Sequence, residues 1–323
     1  MRQCRTYSRR QVAASFLGLL GCRFHLSAQS DAAEPAPPSA SPSANSAEVA
    51  QPAKRRRYRA DAAILLLGMT IYRRSAVGNG EASVENTGEG QSLRRTLFFA
   101  AGSDPKRARG LSRLGWMRET VSGPESAPSE IAYSGVLSSS PEESLDHARQ
   151  SVAVPNSSRN SFGAVMGTNR AGRSRSATAH FEFDASAVWS DRALIHQAHS
   201  LFAGNVEWRE TSWPDSPNQA PPTFLLQLVT LLNKRTRTAT GRYVYSEQEY
   251  LLTVERQQPG RSSERLVAVR GKIRNLRTGR ETVFGLWLED DSSIVPVRFE
   301  FQPRSFLRLT FEAVKSEFRP GTG

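Results

Sequence analysis

At 323 residues, with 38% hydrophobic side chains and a formal net charge of +12, the chain is long enough to hold one large domain or two small ones by core burial alone. Its two cysteines, Cys4 and Cys22, both lie near the N-terminus. The body that follows therefore has no thiol for a disulfide, a nucleophile or a metal.

Arg2, Arg5 and Arg9-Arg10 precede an apolar run from Val12 to Cys22, and the small residues Ser27-Ala28 follow. This basic, apolar, small-residue order is that of an export signal over residues 1–28. The run is too short to span a bilayer, which takes about 20 apolar residues. Ser8-Arg9-Arg10 is similar to a twin-arginine signal, although Ala13 stands where leucine is usual, and an ordinary secretion signal fits as well. Leu19-Leu20-Gly21-Cys22 also reads as a lipoprotein box, which makes Cys22 the candidate lipidation site. Cleavage after Ala28 is the rival reading. The expected location is the periplasm or cell envelope of a bacterium.

Residues 29–57 are Pro-, Ala- and Ser-rich and close on Lys54-Arg55-Arg56-Arg57. Such a composition cannot bury enough surface to offset its ordering entropy, so a disordered linker with a basic end is expected. From Lys54 to Arg118 there are 14 basic against 5 acidic residues, while the remainder is nearly balanced. That excess suits lipid or anionic envelope components as partners, through peripheral or lipid-anchored membrane association. A solvated tail in an arginine-rich chain is the plainer account. No aromatic-interleaved motif accompanies the charge, so no nucleic acid is expected.

Residues 58–318 read as a single β-rich domain. Ala62–Tyr72 and Gly80–Glu85 are apolar runs with Val77-Gly78-Asn79-Gly80 between them, which predicts a hairpin turn at Asn79-Gly80. Leu93–Ala101 and Leu114–Val121 read as strands around a basic loop. Ser140-Pro141 with Glu143 forms a capping box and predicts a short helix over 141–151. Residues 155–177, rich in Ser, Asn, Gly and Arg, read as a flexible insertion. Phe181 and Phe183 alternate with polar neighbours as in a strand. Ala187, Leu194, Ile195, Ala198, Leu201 and Phe202 then fall on one helical arc.

Thr223 is placed to cap the strongly apolar helix FLLQLVTLLN. Phe224, Leu225, Leu228, Leu231 and Leu232 cover its broad face, and Gln227, Thr230 and Asn233 form a polar stripe. Lys234 and Arg235 complement its dipole. The last third is a series of short strands: Tyr243–Tyr245, Tyr250–Glu255, Leu266–Ile273, Val283–Leu288, Ile294–Phe301 and Leu307–Phe311. Turn signals separate them, as at Arg277-Thr278-Gly279. Together these predict a mainly β (α+β) fold: an antiparallel meander or partly closed barrel with two or three helices packed on it.

Signs of catalysis are weak. Asp290-Asp291-Ser292 is ordinary turn chemistry. His196 and His199 have a metal-ligand spacing, but no glutamate lies between them as it does in the HExxH arrangement. No nucleophile motif is present, so no catalytic residue, metal ligand or cofactor is expected. The histidines read as partly exposed helix residues.

Ile64–Arg73 with Val77-Gly78 resembles the opening strands of the bacterial envelope domains grouped as domain of unknown function 3108. Phe284-Gly285-Leu286-Trp287-Leu288-Glu289-Asp290, followed by Val295-Pro296-Val297-Arg298, resembles that group's closing hairpin. The resemblance implies export and a β fold, and it carries over no site residue.

A curved sheet with an apolar helix laid into its concave face is a container for an acyl chain or another apolar ligand. Phe224, Leu225, Leu228, Leu231 and Leu232 from the helix and Trp287, Phe299 and Phe301 from the sheet are the candidate lining residues. The functional expectation is a binding or carrier module for an apolar or lipid-like ligand. The alternative is a structural or assembly protein of the envelope with no small-molecule ligand. A closed cavity smaller than a fatty-acid chain would rule out the container.

Overall fold

Period-two alternation of apolar and polar side chains runs through most of the body and produces one antiparallel sheet. The computed structural model describes residues 51–66, 69–88, 92–104, 106–107, 114–124, 127–138, 159–184, 186–204, 206–213, 217–257, 266–289, 294–304 and 307–314. The segment expected to be an export signal, with Cys22, most of the expected linker, the helix expected over 141–151 and Asp290-Asp291 lie outside them.

The first strands are β1 (Gln51–Leu66), β2 (Met69–Thr87), β3 (Arg94–Ser103), β4 (Leu114–Ser122), β5 (Glu130–Ser138), β6 (Arg159–Arg170), β7 (Arg173–Asp184) and β8 (Arg209–Ser212). After them come β9 (Thr238–Tyr245), β10 (Gln248–Arg256), β11 (Leu266–Asn275), β12 (Glu281–Glu289), β13 (Arg298–Arg304) and β14 (Leu307–Ala313). Two α-helices interrupt the series among the described residues, α1 (Arg192–Ser200) and α2 (Phe224–Asn233).

Strand order across the 14-stranded sheet is β8-β7-β6-β5-β4-β3-β2-β1-β14-β13-β12-β11-β10-β9. Two meanders thus spread from a central seam where the last strand returns to the first, with Tyr58 opposite Ala313 and Ile64 opposite Leu307. The ladder does not close, because β8 and β9 are its two edges. The sheet nevertheless curls. The Tyr133 ring of β5 lies 5.0 Å from the Tyr245 ring of β9, and the Ser246 N–H donates to the Tyr133 hydroxyl.

The sheet's two faces serve different cores. Residues from the concave face, among them Tyr58, Met117, Tyr133, Tyr243, Leu252, Ile273 and Phe299, gather around α2. On the convex face Trp116, Val136, Phe162 and Phe181 are covered by Leu194 and Ala198 of α1.

The structure corrects three expectations. Residues 155–177 contain no flexible insertion beyond Arg159: Arg159–Arg170 and Arg173–Asp184 are the β6–β7 hairpin, in register from Arg159–Asp184 to Arg170–Arg173. Its two-residue turn, Ala171-Gly172, takes positive φ at both positions (34° and 70°), which matches the twist of the flanking strands. Asn79-Gly80 is not a turn but the middle of β2, facing Arg59-Tyr58 on one side and Gly102-Ala101 on the other. A side chain at Gly78 would meet the Gly102 carbonyl at 2.1 Å, so the glycine is needed for close approach of two backbones. Finally, Lys54–Arg57 form no loose tail. They lie in β1 opposite Val84–Glu81, with Arg55 and Arg57 paired to Glu81 and Arg56 to Glu289.

Candidate functional site: an apolar cavity beside helix α2

Helix α2 is apolar nearly all round, so it needs cover on more than one side. Phe224, Leu226, Gln227, Val229, Leu231 and Leu232 are buried, the last two in the concave core, while Leu226 and Val229 meet Leu97, Val121 and Ile131. The polar stripe is therefore only partly in water: Gln227 is buried, with its amide against Gly241, where a Cβ would lie 1.9 Å from Nε2.

Both ends of α2 are held by the sheet. Thr223 occupies the N-cap position, but its side chain does not bond the helix. Glu119 of β4 takes over that task. Its carboxylate accepts from the Thr223 hydroxyl (2.6 Å), the Leu225 N–H (2.9 Å) and the Leu226 N–H (2.9 Å). An acceptor at this end satisfies orphan donors of the first turn, and a negative charge there would be favoured by the helix dipole. Burial opposes that charge. Glu119 is completely buried, and desolvation outweighs the three donors and pushes its pKa up to about 7. At the other end the Arg256 guanidinium of β10 donates to the Leu232 carbonyl (2.5 Å). That contact supplies the C-terminal positive charge within bonding reach, while Lys234 and Arg235 stand exposed.

Between α2 and the sheet lies a partly open cavity of about 150 Å³. From the helix its walls are Phe224, Leu225, Leu228, Val229 and Leu232. From the sheet they include Phe99, Met117, Phe284, Leu286, Phe299, Phe301, Leu309 and Phe311, and the one ionisable wall residue is Glu300. The far wall is fixed by aromatic packing: Phe299 stacks on Phe311 at 4.2 Å and meets Phe99 and Tyr58 edge-on, each at 5.1 Å. Tyr58 is itself tied to the Pro296 carbonyl at 2.7 Å.

Of the residues the sequence points to, Phe224, Leu225, Leu228, Leu232, Phe299 and Phe301 border the cavity. Leu231 does not: it turns into the close-packed core on the β9–β11 side. Trp287 does not either. Leu286 and Leu288 on the same strand are buried, so the residue between them faces the other side. There its ring lies under the Arg298 guanidinium, 4.7 Å from the centroid. The inward residues of β12 are Phe284 and Leu286, opposite Phe301 and Phe299.

Sequence reasoning missed Glu119. The signal was present, because Met117, Glu119 and Val121 share one face of β4, and an inward carboxylate requires partners. Among the described residues no three or more His, Cys, Asp or Glu side chains come together as a metal site. His199 instead packs against Trp116 at 5.8 Å, and burial, helped by Arg118 and His196, lowers its pKa.

These features define a β-barrel-like class: an open antiparallel sheet curled about one apolar helix, with a cavity between them. The chain is similar to the crystal structure of a β-barrel-like protein of domain of unknown function 1849 from Brucella abortus. That likeness has 9% identity and a TM-score of 0.42, and it covers 81% of this chain and 96% of that one. No family model matches the chain, and no curated protein matches it. The resemblance to the domain of unknown function 3108 group is accordingly not supported at the level of a family. It rests on short segments of β1–β2 and β12–β13.

Proposed function

We propose that the protein is exported to the bacterial cell envelope and that its body is a binding module for an apolar or lipid-like ligand, received in the cavity beside α2. The observation that carries this reading is the cavity itself, about 150 Å³ bordered almost wholly by aliphatic and aromatic side chains. Apolar cavities of roughly 150 Å³ stay dry and take benzene-sized guests. The ligand group that fits is therefore a single ring or the end of an acyl chain, with the rest of a longer molecule leaving where the cavity is open. Export draws on the layout of residues 1–28, and Cys22 is the proposed lipidation site if cleavage falls before it.

One observation favours the other reading, a structural or assembly protein with no small-molecule ligand. Pockets for drug-sized ligands run from about 300 to 1,000 Å³, and α2 fills most of the space that the sheet encloses.

Titration with an environment-sensitive naphthylamine dye separates the two, alongside native mass spectrometry of protein purified gently from its host. The binding module predicts dye uptake, which falls at least about tenfold when Leu228→Trp or Ala101→Leu fills the space. Co-purified lipid lost in the same variants would agree. No dye uptake and no bound lipid would leave the structural reading in possession. Palmitate labelling of Cys22, with the mass of the mature N-terminus, tests the anchor.

A further inference from the structure

Six large hydrophobic side chains are exposed among the described residues, and four of them belong to one end of the β1–β2 hairpin: Ile64 (41%), Met69 (65%), Ile71 (60%) and Tyr72 (54%). Among the described residues this end extends past the pairing of both flanking strands. β3 pairs with β2 only from Thr87 to Gly78, and β14 reaches β1 only as far as Ile64. From Met69 to Arg73 every residue of β2 is exposed, while Leu65 on β1, opposite Thr70, is buried. Ile71 is the extra residue of a bulge, since Tyr72 is opposite Ile64 while Thr70 is opposite Leu65.

Just behind the apolar end lies a band of arginines. Arg73 and Arg74 are opposite Ala63 and Ala62 on one side of β1, and Arg308 is opposite Ala63 on the other. Asp61 is taken up by Arg73 at 2.7 Å, with Glu312 also acting on Arg73, and among the described residues no carboxylate pairs with Arg74 or Arg308. Arg308 also donates to the Thr70 hydroxyl at 3.1 Å, which holds its guanidinium toward the tip.

From these observations we propose that the β1–β2 tip seats in the headgroup region of an anionic lipid bilayer. Ile64, Met69 and Ile71 enter the acyl boundary, Tyr72 lies at the interface, and Arg74 and Arg308 meet lipid phosphates. The dimensions agree: three residues separate the arginine band from Met69 and Leu66, about 10 Å at strand rise, against a burial depth of about 5–10 Å for interfacial segments. Exposed apolar side chains with a band of arginines directly behind them are the combination that an anionic bilayer surface matches. The charge band selects an anionic surface over a neutral one. This surface is not the one that sequence reasoning pointed to, because three of the residues Lys54–Arg57 are engaged by Glu81 and Glu289. It is also independent of what the cavity holds.

The test is cosedimentation of the full chain with phosphatidylcholine vesicles, with and without phosphatidylglycerol. The wild-type chain should bind the anionic vesicles, and less so as salt is raised. Met69→Glu with Ile71→Glu should weaken binding about a hundredfold or more. Arg74→Gln with Arg308→Gln should weaken it about fivefold per arginine. Unchanged melting curves would show that these surface variants fold. Equal binding by wild type and the Met69/Ile71 variant, or no binding by either, overturns the proposal. So does a dimer in sedimentation velocity that the same variants dissociate in a chain with no affinity for vesicles, since the tip would then be a contact between copies.

Discussion

Replacing Glu119 with glutamine removes the one buried carboxyl that caps α2, and the consequence depends on pH in a way the structure specifies. The group is completely buried, and its pKa rises from an ordinary 4.5 to about 7 because desolvation outweighs the Thr223 hydroxyl and the Leu225 and Leu226 N–H donors. Between those two values the folded protein keeps a proton that the unfolded chain has released. Stability is therefore greatest below pH 4.5, falls as pH rises toward 7, and is level above that. At 1.36 kcal/mol per pH unit of difference, the loss is about 3 kcal/mol. Glutamine stays neutral throughout. It keeps one carbonyl acceptor but turns an amide donor toward the helix N–H groups, a cost of about 1–3 kcal/mol. The variant should thus be the less stable protein near pH 5 and the equal or better one near pH 8. Urea unfolding followed by tryptophan fluorescence at both pH values measures the gap, and titrations common to both proteins cancel. A gap that stays constant, or that widens with pH, would refute the reasoning. It would mean that the carboxylate is ionised in the fold, with the helix N-terminus and its three donors prevailing over burial.

Asp61 should behave in the opposite sense. Burial pushes its carboxyl up, but the Ala76 N–H and the Arg73 guanidinium together hold it below the usual range, so Asp61→Asn should cost about 1 kcal/mol near neutral pH. That cost should vanish in urea melts as pH falls below the folded pKa. Gly271→Ala should destabilise by about 1–3 kcal/mol, because the new methyl would meet the Phe284 ring at 2.0 Å; chemical denaturation reads the loss. Leu231→Ala should cost about 2–5 kcal/mol, as deletion from a close-packed core does. Leu228→Ala should cost clearly less, since that side chain borders space that is already empty.

How far the sequence reveals this fold differs from segment to segment for physical reasons. The strands of the last third are legible because each buries one face, so their apolar residues alternate cleanly; Phe299 and Phe301 both prove buried, although the strand expected over Ile294–Phe301 begins only at Arg298. β6 and the first half of β7 are not legible, because glycine, serine and asparagine there answer to neighbours far away in sequence, whereas the alternation of Phe181 and Phe183 marks the end of β7. Gly167 lies beneath the Tyr133 ring, where a Cβ would come within 2.3 Å, and Asn169 bonds the Pro221 carbonyl at 2.7 Å. Composition reads such residues as loop, while the structure uses them to let bulky groups approach. Asn79-Gly80 misleads in the same way. As for the site, the apolar face of α2 was legible and its surroundings were only half so. Alternation alone would have turned Trp287 outward and Glu119 inward, and pairing register then decides that Phe284 and Leu286 stand opposite Phe301 and Phe299.

The placement of α2 accounts for how a sheet with two open edges still encloses a cavity. β4 and β10 lie far apart in strand order, yet each contributes one side chain to an opposite end of the same helix, Glu119 at its start and Arg256 at its last turn. The segment leading into the helix adds two more ties: the Pro221 carbonyl accepts from Asn169 of β6, and the Pro222 carbonyl accepts from Val244 of β9. These polar contacts fix the helix by its ends and leave its middle to apolar packing alone. On the β9–β11 side that packing is close, with Leu231 buried. Toward the Phe299–Phe311 stack Leu228 faces the cavity rather than a close-packed neighbour. The cavity thus runs along a helix that is positioned from its two ends by Glu119 and Arg256, on the flank that sheet packing leaves open.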